Sequence, residues 1–170
     1  MMKTNIIFFV ALILISCRNE KKVTHTEVIL DSNVQVHIFK KIDSLLEGIP
    51  QVKSQDSLAF LILPINASCP YCKKKTIEKI AKKHKNIDTS HYIIISANKG
   101  LKTIAALFRE QGYDLPITSS NIRIDSTNKA SEYALCADKP TFYYSTKGKI
   151  YKKVASIPYS VKDDLADFFH

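Results

Sequence analysis

Leu58-Ala59-Phe60-Leu61-Ile62-Leu63-Pro64-Ile65-Asn66-Ala67-Ser68-Cys69-Pro70-Tyr71-Cys72 is the stretch that decides the fold. Leu58 to Ile65 is nearly all apolar, with Pro64 its one interruption. A run of this length predicts a strand covered on both faces. Beyond the cysteines, Thr76 to Lys85 places Ile77, Ile80 and Ala81 on one side and lysines on the other, which predicts a helix. The cysteine pair lies between strand and helix, where the first helical amides lack intrahelical partners and the dipole favours a thiolate. Cys69 is expected at that position, partly exposed. Pro70 suits the first turn, where its missing N–H costs nothing. Cys72, three residues on, is close enough to close a disulfide and should be the more shielded sulfur. Lys73, Lys74 and Lys75 add positive potential that should depress the Cys69 pKa further.

Working outward, Tyr92 to Ile95 reads as the next buried strand and Leu101 to Gln111 as a helix closed by Gly112. Strand, helix, strand, helix is the signature of a parallel sheet. Ile122 and Ile124 suit a short strand, and Lys129 to Leu135 one or two helical turns. Thr141 to Tyr144 and Ile150 to Val154 form a hairpin around the Lys147-Gly148 turn. It is expected to run antiparallel to Leu58–Ile65 with Ile150 to Val154 at the outer edge. Val161 to Phe169 closes the chain as a helix, with Asp163 and Asp164 near its start, where acids suit the dipole. Upstream, Glu27 to Leu30 predicts a strand and Ile38 to Leu46 a helix stopped by Gly48 and Pro50. Gln51 to Asp56 is a polar connector.

A Cys-x-x-Cys pair has two other readings. Half of a zinc site needs two more ligands, and Cys136, His84 and His91 match no usual spacing. A permanent structural bridge is the other, and the strand-to-helix placement argues against both. Cys136 reads either as a buried small hydrophobe or as a thiol near the site. His37, His84, His91 and His170 read as surface or strand residues, and Tyr143, Tyr144 and Tyr151 as sheet packing.

Cys69-Pro70-Tyr71-Cys72, with Lys139-Pro140-Thr141 ahead of a strand and the Lys147-Gly148 turn, resembles the thioredoxin superfamily over about Leu58 to His170. The style is similar to that of membrane-tethered thioredoxins of the bacterial envelope. The resemblance implies an α/β, thioredoxin-like three-layer sandwich with a mixed central sheet. It implies that Cys69 attacks, that Cys72 resolves, and that Pro140 is a cis-proline facing the dithiol. A cis bond would expose the Lys139 backbone, so Lys139 and Tyr71 are expected to contact substrate. The family's usual acid in the strand before the dithiol is missing from Phe60 to Ile65, and Ser68 stands where Trp is usual.

The N-terminus reads as a processing signal. Lys3 precedes an unbroken apolar run from Ile6 to Ile15. Ten helical residues rise about 15 Å, half of a hydrocarbon core. Leu14-Ile15-Ser16-Cys17 after that run resembles the lipobox of bacterial lipoproteins, which implies lipidation at Cys17. The organisation is therefore a signal over 1–16, a lipidated Cys17 with a polar tether over 17–25, an N-terminal extension over 26–57 packed on the domain, and the thioredoxin-like domain over 58–170. The chain has 170 residues, 45% of them hydrophobic, and its 25 Lys and Arg outnumber 16 Asp and Glu, for a formal charge of +9. Its lysines form no stripe interleaved with aromatics, which argues against nucleic acid.

The expected chemistry is thiol–disulfide exchange at the cell envelope, with the reductase direction favoured. The partners are a protein disulfide substrate, a thiol electron donor and the lipid bilayer, and no metal or organic cofactor is required. The rival is a binding or structural lipoprotein with an idle or structural Cys69–Cys72 disulfide. A peroxidase motif is missed, because Pro64, Ser68 and Cys69 do not have its spacing.

Overall fold

A computed structural model describes residues 25–47, 56–98 and 100–170. The expected signal, Cys17, the tether up to residue 24, Gly48, Pro50 and residues 51–55 of the connector lie outside the described residues. The elements are β1 (Thr26–Val28), α1 (Ser32–Leu45), β2 (Ser57–Pro64), α2 (Pro70–Lys83), a 3-10 turn (His84–Asn86), β3 (His91–Ser96) and α3 (Gly100–Glu110). They are followed by β4 (Ile122–Asp125), α4 (Lys129–Glu132), β5 (Thr141–Thr146), β6 (Lys149–Ala155) and α5 (Val161–Phe168). Among the described residues no helix is long and apolar enough to cross a membrane.

The six strands lie in the order β1-β6-β5-β2-β3-β4. β2 runs parallel to β3, and β3 parallel to β4. β5 is antiparallel to β2, so Leu61 sits between Ile93 and Phe142. Side chains alternate across a strand, and in β2 both alternations are apolar. Ala59, Leu61 and Leu63 point into a core with Ile77 and Ile80 of α2, Ile104 and Phe108 of α3, and Leu165 and Phe168 of α5. Leu58, Phe60 and Ile62 point the other way, onto Ile42 and Leu45 of α1 and Ala130 of α4. The unbroken apolar run thus serves two cores, and the domain is an α/β three-layer sandwich with a mixed sheet. Phe60, Leu61, Ile62 and Leu63 are wholly buried, each contributing about 1.5–3 kcal/mol.

Two expectations need correction. Ile150 to Val154 is not at the edge, because β1 pairs outside it with Thr26 opposite Val154 and Val28 opposite Lys152. The backbone of β6 had free donors and acceptors there, and the upstream strand satisfies them. α1 starts at Ser32 rather than Ile38. The Asp31 carboxylate accepts from Asn33 N at 2.7 Å and Val34 N at 3.2 Å, and this cap outweighs the strand-like alternation of Val34, Val36 and Ile38. α2 runs without a break from Pro70 to Lys83, joining the first turn expected at Pro70 to the apolar periodicity of the Thr76 stretch. In the β5–β6 hairpin, Lys147 and Gly148 both have positive φ, 48° and 73°, as a two-residue turn with the right twist demands.

Candidate redox site

β2 ends at Pro64 and the chain crosses to α2 in five residues, Ile65 to Cys69. Cys69 is the N-cap of α2 in extended conformation, and its Sγ accepts the Cys72 N–H at 3.1 Å. This is one of the donors that every helix start leaves unpaired. Cys69 is partly exposed and Cys72 wholly buried, and the two sulfurs are joined as a disulfide. Cys72 Sγ lies 4.0 Å from the Ser156 carbonyl oxygen, just past β6. One turn into the helix, Thr76 Oγ1 donates to Cys72 O at 2.8 Å.

The three lysines after the dithiol do not all face it. Lys73 Nζ donates to Ile65 O at 3.3 Å, and Lys75 Nζ pairs with Glu78 at 3.1 Å and lies 6.0 Å from the Tyr71 ring centre. Cations in a first turn oppose the helix dipole, and α2 has no acid there to offset them. The backbone amide, not the lysines, is the direct contact to Cys69 sulfur. Tyr71, between the cysteines, is 41% exposed.

Pro140 comes to the site, but not as expected. The Lys139–Pro140 bond is trans, since no described peptide bond is cis. A tertiary amide keeps a trans preference of about 0.5–1 kcal/mol unless its surroundings reverse it. Here the contacts on both sides are satisfied with the bond trans. Thr141 Oγ1 donates to Lys139 O at 3.0 Å, and Pro140 O accepts from Ser156 N at 2.9 Å. The Lys139 carbonyl thus accepts a hydroxyl from within its own loop. Buried Pro140 instead holds Ser156, whose other face touches Cys72.

Two acids were missed by the sequence. Asp138 accepts from the Ser68 hydroxyl, and its carbonyl accepts from Ser68 N at 2.9 Å, clamping the Lys139-Pro140 loop to the residue before Cys69. Its only sequence signal was its place just ahead of that dipeptide. Asp164 Oδ2 accepts from Ser156 Oγ at 2.7 Å and Ser160 Oγ at 2.9 Å, and its Oδ1 lies 3.7 Å from His25 Nε2. β2 has no acid, and this carboxylate reaches Cys72 through Ser156. Asp164 was read only as a helix-start acid.

Cys136 does not join the site. It lies in the core on the α1 and α4 side, whereas Cys72 lies in the core on the α2 side. Burial, and then the Asp125 charge, push its thiol up to about 11, against a smaller opposing effect of Lys153. Of its two readings, the buried small hydrophobe is the observed one. Among the described residues, no three His, Cys, Asp or Glu side chains gather as a metal site would need.

A β-α-β unit feeding a β-hairpin and a closing helix, with a dithiol capping the first of those helices, defines the chain as thioredoxin-like in fold. No family model matches the chain, and no curated protein does. Among solved structures, it is similar to the pneumococcal exposed lipoprotein thioredoxin of Streptococcus pneumoniae, at 19% identity and a TM-score of 0.41, over 70% of this chain and 89% of that one. It is also similar to a thiol-disulfide isomerase of Corynebacterium glutamicum, at 14% identity and a TM-score of 0.39, over 70% of this chain and 83% of that one.

Proposed function

We propose that this protein is a thiol–disulfide oxidoreductase, tethered to the cell envelope through Cys17 and working as a reductase of protein disulfides. The observation that carries the proposal is the asymmetry of the pair: Cys69 Sγ caps α2 on the Cys72 amide and is partly exposed, while Cys72 is buried behind it. In the reduced protein the Cys69 thiolate attacks one sulfur of a substrate disulfide, and the substrate's other sulfur leaves as a thiolate. Cys72, deprotonated, then attacks Cys69 Sγ, and the second substrate sulfur leaves. The substrate gains two electrons and, on protonation, two protons. The protein is left with the Cys69–Cys72 disulfide, which a donor dithiol must reduce again. Pro140 acts by placing Ser156 against Cys72, and Tyr71 supplies an exposed contact beside Cys69.

The lipobox-like Leu14-Ile15-Ser16-Cys17 supports the tether. Seven residues, and so eight Cα steps, separate Cys17 from His25, a reach of at most about 28 Å. The chain enters the domain on the Cys72 side, since His25 contacts Asp164, Asp164 accepts from Ser156, and the Ser156 carbonyl lies 4.0 Å from Cys72 Sγ. A membrane-proximal substrate is therefore within range of Cys69. The test is the Cys69–Cys72 reduction potential together with catalysed reduction of a protein disulfide. A potential in the range of catalytic dithiols with turnover supports the proposal. A bridge that resists mild reductant on the folded protein makes it a structural disulfide and overturns it.

A further inference from the structure

The α2 helix carries a second feature that thiol exchange alone does not use. Tyr71, Lys75, Glu78, Lys79 and Lys82 follow one another at helical spacing along one side. Lys75, Glu78, Lys79 and Lys82 join Lys162 and Leu165 of α5 to line a groove of about 290 Å³. Four lysines against one glutamate leave an excess of three positive charges. Glu78 is held to about 2 by its hydrogen bond from Lys82 and then by that from Lys75, so it is ionised at any physiological pH and is committed to those two lysines. Lys79 Nζ lies 5.8 Å from the Phe169 ring centre, and neither Lys79 nor Lys162 has a carboxylate partner among the described residues. Four cations facing one another across an open groove repel, and they are relieved by an anionic occupant.

The groove begins at Lys75, on the same side of α2 as Tyr71 and about one turn beyond it. Lys75 lies over the Tyr71 ring, and Tyr71 stands between the two cysteines. Along the helix axis, Lys75 is about 9 Å and Lys82 about 20 Å beyond Cys69. An extended peptide advances about 3.3 Å per residue, so those positions correspond to about three and six residues from a cysteine held at Cys69.

We propose that the α2–α5 groove is a substrate-docking surface that selects polypeptides with an acidic stretch about three to six residues from the disulfide cysteine. This rests on the oxidoreductase function above and names the class of substrate that function takes. Lys79 and Lys162, which have no carboxylate partner among the described residues, supply the selectivity.

The experiment compares two synthetic peptides, each closed by an internal disulfide and identical except for three Glu or three Gln at those positions. The full chain reduces them with dithiothreitol as donor, and hydroxyethyl disulfide serves as an uncharged small substrate. The Glu peptide should be favoured about tenfold in kcat/KM, through KM, and the preference should shrink as salt rises. The double variant Lys79→Glu, Lys162→Glu should abolish the preference and leave hydroxyethyl disulfide reduction unchanged. Lys102→Glu on α3 controls for net charge and should keep the preference. Brisk but equal turnover of both peptides overturns the groove and leaves the oxidoreductase function standing. Absence of turnover on every disulfide, hydroxyethyl disulfide included, overturns both. Equal peptide rates together with groove-dependent binding to anionic phosphatidylglycerol vesicles would make the surface a bilayer contact and overturn the proposal.

Discussion

Cys69 and Cys136 are the same residue in one small domain, and their surroundings treat a thiolate in opposite ways. Cys69 stands where a strand gives way to a helix, at the boundary of the packed core, with a backbone amide aimed at its sulfur. Cys136 lies 4% exposed on the far side of the sheet, between α4 and β5, in an apolar shell. That shell and the neighbouring Asp125 both penalise a thiolate, and the thiol is held at about 11. Nucleophilicity here follows from backbone dipoles and solvent access, not from the residue type.

The largest expected effect sets the two thiols apart directly. Cys69→Ser should cut disulfide exchange by on the order of a thousandfold or more. Cys72→Ser should instead alkylate fast near neutral pH and accumulate mixed disulfides. Gel-shift trapping and alkylation rate against pH read both. If Cys72 proved the faster thiol, the contrast drawn from helix capping would break.

Asp125 guards the inert side. Burial works to raise its carboxyl, but bonds from Ala130 N, Ser96 Oγ, Lys129 N and Thr127 Oγ1 outweigh it and hold the pKa below the usual aspartate value. Asp125→Ala should cost about 3 kcal/mol in urea unfolding and speed Cys136 alkylation. A lowered carboxylate stabilises the fold above the unfolded pKa, 3.8, and ceases to do so as pH falls through the folded value. The gap between wild type and variant should therefore be full at neutral pH and close in acid.

Cys136 itself acts at the alkaline end. Its pKa is raised from 9.0 to about 11, so the unfolded chain releases the proton first. Its contribution is constant below pH 9 and is lost as pH climbs toward 11, about 3 kcal/mol in all. Chemical denaturation of wild type and Cys136→Ala across that window should show the variant losing less stability between pH 9 and 11 by that amount. The smallest expected effect is on activity: Cys136→Ala should leave exchange within about twofold, and a larger loss would tie the buried thiol to the redox cycle after all.

Much of this was legible in the residues because it rests on local rules. The Leu58–Ile65 run could only be a strand with two covered faces, and Cys69-Pro70-Tyr71-Cys72 carried its own cap and first-turn signals. The parallel β2–β3 pair and the antiparallel β5 followed from the order of elements. The trans bond at Pro140 did not follow, because a proline's isomer is set by contacts from distant segments, here Ser156 and Ser68. Asp138 was missed for the same reason, since it meets Ser68 across 70 residues, whereas the Asp164 partners Ser160 and Ser156 are four and eight residues away and only the fold sets Ser156 against Cys72.

By itself the sequence determined the alternation of strands and helices, the two-sided burial of β2 and the placement of a dithiol at a helix start. These depend on periodicity and capping within a few residues. Only the tertiary structure decided that β1 covers β6, that Cys136 is sealed on the other face from Cys72, and that lysines from α2 and α5 face one another across a groove. Those are pairings between segments far apart in the chain, and no local pattern encodes which side of a sheet a distant helix will take.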